Sequence, residues 1–319
     1  MPYPETKIPL VVIVGPTAIG KTEISIKLAE QFKAEIVSAD SMQFYKGMDI
    51  GTAKPTLAER ERIPHHLIDI VNPDEPMSLA LYQKAAQTAI WKINQRGRLP
   101  ILVGGTGQYI RAVIEGWSIP AQEPDYKLRT ILFQWGDEIG AEGLHKRLAI
   151  IDPVSASRID KRNLRRTVRA LEVGLKTGIR FSEQSRKLDS PYDLLILGLT
   201  CERHELYARI DARIESMLAN GFIDEVNRLL MKGYSLKLTA FSAIGYREII
   251  EYLIGKISID EAVILIKKRT REFVRRQANW FKGNDPGIKW FEISNETVNQ
   301  MKDAIEKSNY SRLWGYHFS

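Results

Sequence analysis

The segment GPTAIGKT, residues 15–22, constrains this chain more than any other stretch. It fits the pattern GxxxxGK[ST]; an apolar run at 10–14 precedes it, and apolar positions at helical spacing (Ile24, Ile26, Leu28, Ala29) follow. Strand, glycine-rich loop and helix in that order form a phosphate cradle. Gly15, Pro16, Thr17, Ala18, Ile19 and Gly20 form the loop, whose backbone N–H groups, absent only at Pro16, converge on an anion at a helix N-terminus; Lys21 neutralises its terminal phosphates, and the Thr22 hydroxyl can ligate magnesium. The pattern leaves open whether the anion is a nucleoside triphosphate or another diphosphate.

Such a loop opens a parallel sheet. Further strands are expected at 35–38, 67–71, 101–103 and 194–199, with helical patterns between them, for example at 79–94. This alternation predicts an α/β fold, a P-loop NTPase-like parallel sheet flanked by helices. Ligands of such sheets sit at the carboxyl ends of the strands, so SADSMQFY after the second strand, GTAK at 51–54 and GGTGQY after the fourth should line one crevice with the loop. Between 111 and 191 the pattern turns helical and charge-rich, as an inserted helical subdomain would. The expected division is a catalytic core at 8–110 and 192–285, the insertion at 111–191 and a peripheral tail at 286–319.

With 319 residues and 44% apolar content the chain can bury a full core. No apolar run approaches the roughly 18 to 20 residues that span a bilayer, and MPYPETKIPL lacks the charged and apolar regions of a signal peptide. A lone cysteine, Cys201, rules out an internal disulfide and reads as a small buried hydrophobe. The expectation is a soluble cytoplasmic monomer. The net charge of +7 matters because it is clustered. Eight basic residues lie between Arg158 and Arg180 against Asp160 and Glu172; seven lie between Lys267 and Lys282 against Glu272, with Phe273, Trp280 and Phe281 interleaved. Each cluster alone could be a solvated helix face. Two of them beside a phosphate loop point to a polyanion, most simply nucleic acid.

Asp40 ends the second predicted strand and is followed by Ser41 and Gln43. It fits a turn or N-cap residue as well as a general base that takes a proton from a nucleophile while the loop holds an anion. Attack on phosphorus would make a small-molecule kinase; attack on a carbon bearing a diphosphate would make a prenyltransferase.

The motifs GPTAIGKT, DSMQFYKGMDIGTAKP, HHLIDIVNP, LVGGTGQYIRA, RTVRALEV, RIDARIESMLANGFIDEV and IGYRE, in this order, resemble the tRNA dimethylallyltransferase (IPP transferase) family, whose members prenylate the adenosine 3′ to the anticodon. The family usually carries serine where this loop has Ile19, a change expected to affect packing more than diphosphate binding. The resemblance implies that the loop holds dimethylallyl diphosphate and that tRNA, through its anticodon stem-loop, is the acceptor, with Mg2+ on Thr22. It implies Asp40 as general base toward adenine N6, with Ser41, Met42 and Gln43 at the base edge and Thr17 and Thr106 near the reacting centre. Lys21, Arg209 and Arg213 would neutralise the leaving diphosphate. The segment Arg165, Arg166, Thr167, Val168 and Arg169 would hold the anticodon loop, with Ser242, Ala243, Ile244, Gly245, Tyr246 and Arg247, and the stretch Arg275, Arg276 and Gln277, as further RNA contacts. An isopentenyltransferase acting on free adenine nucleotides would share the loop and Asp40, but would have no use for two basic clusters.

Overall fold

The computed structural model describes residues 7–120, 125–184 and 189–308. Residues up to Ile114 and from Pro191 onward form one compact unit, and Glu115–Ser190 form a second.

The first unit is built on a six-stranded, wholly parallel sheet of β1 (Ile8–Val14), β2 (Ala34–Ser38), β3 (His65–His66), β4 (Leu99–Val103), β5 (Tyr192–Thr200) and β6 (Ile288–Glu292), in the order β3-β2-β4-β1-β5-β6. Every residue of β1 is buried, which explains its unbroken apolar sequence. Alternation sends Val11 and Ile13 into one core layer and Leu10, Val12 and Val14 into the layer on the opposite face, where Tyr82, Ile90 and Ile93 of the Leu79–Gln95 helix cover them. Ser78 starts that helix by accepting a hydrogen bond from the Leu81 N–H at 3.2 Å. The sheet and its flanking helices match the expected P-loop NTPase-like class.

Two expectations need correction. The run at 67–71 is not a strand: the ladder consists of His65 and His66 alone, because Leu67 (φ 64°) and Asp69 (φ 54°) take left-handed conformations that end the pairing. Residues from 286 onward are not peripheral as far as they are described. Ile288–Glu292 extend the sheet beside β5, and the Thr297–Glu306 helix buries Met301 and Ile305 completely in the larger core layer. The expected tail beyond 308 lies outside the described residues.

The second unit contains the helices Tyr126–Ile139, Ala141–Ile151, Pro153–Arg158 and Leu164–Thr177 around a core of its own that includes Leu132, Leu144, Leu148, Val168 and Leu171. Asp125, Asp152 and Asn163 cap three of them. The fully buried Glu172 ties the unit together, accepting from the Asp125 N–H at 2.8 Å and pairing with Arg129 at 2.9 Å and Arg169 at 2.7 Å. No helix among the described residues is long and apolar enough to cross a membrane.

Candidate active site

The adjacent strands β2, β4 and β1 deliver three loops to one edge of the sheet, at their carboxyl ends. After β1 the chain winds through residues 15–20 into the Lys21–Gln31 helix, with Gly20 left-handed at its N-cap (φ 100°) and Ala18 also left-handed (φ 65°). Lys21 Nζ donates to the carbonyls of Gly15 (3.0 Å) and Pro16 (2.7 Å), which poises the ammonium inside its own loop. Removal from water, and next the charge of Arg213, bring its pKa down to about 7, while Asp40 opposes the shift. Ile19 is fully buried in the core, so the loop's departure from serine is a packing feature.

After β2, Asp40 folds back on the chain: one carboxylate oxygen accepts from the Met42 N–H at 2.9 Å. After β4, the Thr106 hydroxyl accepts from the Ser41 N–H at 3.2 Å and lies 3.4 Å from the Ser41 hydroxyl, tying the second loop to the third. The fourth wall is the turn at 49–52. The buried Glu225 carboxylate accepts from the N–H groups of Asp49 (2.9 Å), Ile50 (2.7 Å) and Gly51 (3.3 Å) and from the Tyr246 hydroxyl (2.5 Å). Gly51 must be glycine, since a Cβ there would run into the rings of Phe222 and Tyr246. Lys54, by contrast, is a buried structural cation held by Asp49 (2.7 Å), Asp69 (2.5 Å) and the Tyr45 carbonyl (2.6 Å).

Two cavities open among these loops. One, of about 340 Å3, is lined by Gly20, Lys21 and Thr22 of the phosphate loop together with Ser38, Gln43, Ala53, Gly104 and Gly105. The other, of about 280 Å3, has apolar walls from Met42, Ile210, Ile214, Met217, Phe222, Ile266 and Phe273, with Ser41, Thr106, Arg276 and the segment Ser242, Ala243, Ile244 and Gly245. Thr17, Ala18, Asp40, Thr52 and Arg213 line both. Arg213 reaches in from the Arg203–Ala219 helix and donates to the Thr17 hydroxyl at 3.3 Å. Burial lowers its pKa, and Asp40 opposes that. The three segments expected to share a crevice with the phosphate loop all contribute to these two cavities, though Lys54 does not.

Residues 43–284 match the family described as IPP transferase, and residues 8–69 match isopentenyl transferase. The chain belongs to the IPP transferase family. A relative named tRNA dimethylallyltransferase, from Roseiflexus sp. (strain RS-1), is 54% identical over 275 residues, covering 86% of this chain and 90% of the relative. Among solved structures, the full-length tRNA isopentenylpyrophosphate transferase of Bacillus halodurans aligns with a TM-score of 0.70 at 41% identity, covering 94% of this chain and 96% of that one. A eukaryotic dimethylallyltransferase acting on tRNA aligns with a TM-score of 0.79 at 30% identity, covering 96% and 79% of the two chains.

Not every residue singled out from the sequence reaches the site of this family member. Arg209 is exposed and lines neither cavity; the cation that arrives is Arg213, one turn further along the same helix. The Gln43 amide is engaged with the Ser38 hydroxyl (2.8 Å) and the carbonyls of Thr52 and Ala53 (3.4 and 3.3 Å), so it braces the loop. Tyr246 is buried against Glu225, and Arg247 pairs with Glu251 at 3.1 Å. In the second unit Thr167 and Val168 face the core, whereas Arg165 and Arg166 are exposed and have no acidic partner among the described residues. Sequence reading missed the apolar walls from Ile210, Ile214, Met217 and Phe222; their regular spacing reads equally well as ordinary core.

Proposed function

We propose that this chain transfers the dimethylallyl group of dimethylallyl diphosphate to N6 of the adenosine 3′ to the anticodon, tRNA position 37, giving N6-dimethylallyladenosine and diphosphate. One observation carries the reading: Asp40 and Arg213 line both cavities, so a diphosphate in the loop and a base in the apolar cavity would meet across a carboxylate and a guanidinium. The N6–carbon bond forms as the bond from the allylic carbon to the diphosphate oxygen breaks. The N6 proton passes to Asp40, and the bonding pair leaves on diphosphate, where Lys21 and Arg213 neutralise it. An exocyclic aromatic amine is a weak nucleophile, so a base at this position raises its reactivity as the proton leaves. Ser41, Met42 and Thr106 line the acceptor side, and the Thr17 hydroxyl stands beside Arg213.

Magnesium fits this donor set. Thr22 lines the loop cavity, and among the described residues no group of three or more His, Cys, Asp or Glu could hold a metal alone. An ion here would therefore take the Thr22 hydroxyl, diphosphate oxygens and water, the coordination that Mg2+ favours. Its chemical contribution is charge neutralisation on the leaving diphosphate.

Drawing a loop adenosine out of its stack costs a few kcal/mol, which phosphate contacts must offset. Arg165 and Arg166 supply them in this reading of a cytoplasmic, monomeric enzyme, whereas Arg169, expected beside them, is held by Glu172. The test is direct: incubate the protein with dimethylallyl diphosphate, magnesium and unmodified tRNA, digest, and look for N6-dimethylallyladenosine. Prenylation of AMP in place of tRNA, or phosphate transfer from γ-labelled ATP, would replace this reading with one of its rivals.

A further inference from the structure

Gln277 lies in the last turn of the Ile259–Ala278 helix, in the stretch read from the sequence as an RNA contact. Its neighbours Arg275 and Arg276 are exposed, but Gln277 is buried. Its side-chain carbonyl accepts from the Thr17 N–H at 2.9 Å, and its amide donates to the Gly105 carbonyl at 2.9 Å. One amide thus joins the phosphate loop to the loop after β4, across 260 and 172 positions of sequence. Gly105 is shaped to receive it: a Cβ there would collide with Gln277 Nε2 and lie 3.7 Å from Lys21 Nζ. Thr17 is therefore fixed from two sides, its N–H by Gln277 and its hydroxyl by Arg213.

We propose that Gln277 is a positioning residue for the diphosphate half of the reaction, setting the conformation of the phosphate loop through Thr17 and Gly105, and is not an RNA contact. Both of its bonds are made to backbone groups of the site, so both halves of the amide are needed. A carboxylate keeps the acceptor for Thr17 but has no donor for Gly105, and it sets a negative charge beside the anion site. Protonation returns the donor and removes the charge. A methionine of similar length can do neither at any pH.

The inference rests on the proposed reaction only in taking diphosphate as the loop's ligand. Binding of magnesium pyrophosphate and of an anticodon stem-loop RNA is measured separately, by calorimetry and by filter binding, for wild type, Gln277→Glu and Gln277→Met. At pH 8 both variants are expected to bind pyrophosphate about tenfold or more weakly, Gln277→Met through the loss of two hydrogen bonds and Gln277→Glu through the loss of one together with the added charge, with RNA affinity within about twofold of wild type. Expressed relative to wild type at each pH, Gln277→Glu should recover as pH falls from 8 to 5, because burial beside the bound anion raises a carboxyl above its ordinary value of about 4.3, and Gln277→Met should not. Melting temperatures of the two variants separate this from a folding defect, which would not reverse with pH in one variant alone. Unchanged pyrophosphate binding, or a loss confined to RNA, overturns the assignment. A wild-type protein that binds pyrophosphate normally yet fails to prenylate tRNA would instead remove the proposed reaction and leave the role of Gln277 standing.

Discussion

At the scale of single residues, the proposed base Asp40 also shapes the chain, since the carboxylate that faces both cavities accepts the Met42 N–H. Asp40→Asn keeps an acceptor for that turn and removes the base. The single-turnover rate should fall by about 10² to 10⁴, with tRNA affinity nearly unchanged. A mutant with a normal rate and weakened RNA binding would make Asp40 a residue that positions the RNA instead. Lys21 carries a second expectation. With its pKa lowered to about 7, it is charged below that pH and neutral above it, so the attraction for pyrophosphate is full at pH 6 and is lost as pH rises through 7. The affinity of Lys21→Arg, measured by calorimetry from pH 6 to 8.5, should show a shallower fall, because guanidinium stays protonated throughout.

Elements show what could be read in advance. The 10–14 run announced a doubly covered strand because every one of its residues is buried, and the loop after it followed from glycine, lysine and threonine at fixed offsets. Hydropathy could not reveal the left-handed turns at Leu67 and Asp69, since backbone strain leaves no apolar signature. Charge counting overstates the second basic cluster. Arg271 and Lys267 are paired with Asp211 and Glu215, and Arg269 with Glu248, acids found on other helices, so three of its seven basic residues join helices together, while Lys268, Arg275, Arg276 and Lys282 are exposed. Arg165 and Arg166 have no such partners among the described residues. Arg165→Ala with Arg166→Ala should weaken tRNA binding and reduce the slope of its salt dependence by about 0.7 to 0.9 for each RNA phosphate that is no longer neutralised, with pyrophosphate affinity unaltered. Wild-type affinity and slope would mark them as solvated surface. The Thr297–Glu306 helix gives an opposite kind of expectation, one of stability. Met301→Ala empties a fully buried site in the main core and should cost about 2 to 5 kcal/mol in urea unfolding; a change below about 0.5 would mean the helix does not dock as described.

On the scale of the whole molecule, the two units have separate cores, so damage to one should leave the other's ligand alone. Leu148→Ala, deep in the Glu115–Ser190 unit, is expected to weaken tRNA binding while pyrophosphate binding stays within about twofold, and parallel losses of both would refute that independence. The same division bears on how the chain is made. β1 sits between β4 and β5, yet β4 closes at Val103 and β5 begins only at Tyr192, after the entire second unit has been synthesised. A ribosome adding roughly 5 to 20 residues per second leaves one edge of the most apolar strand without its neighbour for on the order of 5 to 20 s. During that interval the nascent sheet presents an open hydrogen-bonding edge, which is the state that sticks to other chains. Synthesis of this protein should therefore depend on chaperones that bind while translation passes the insertion, and release from them should coincide with the emergence of β5.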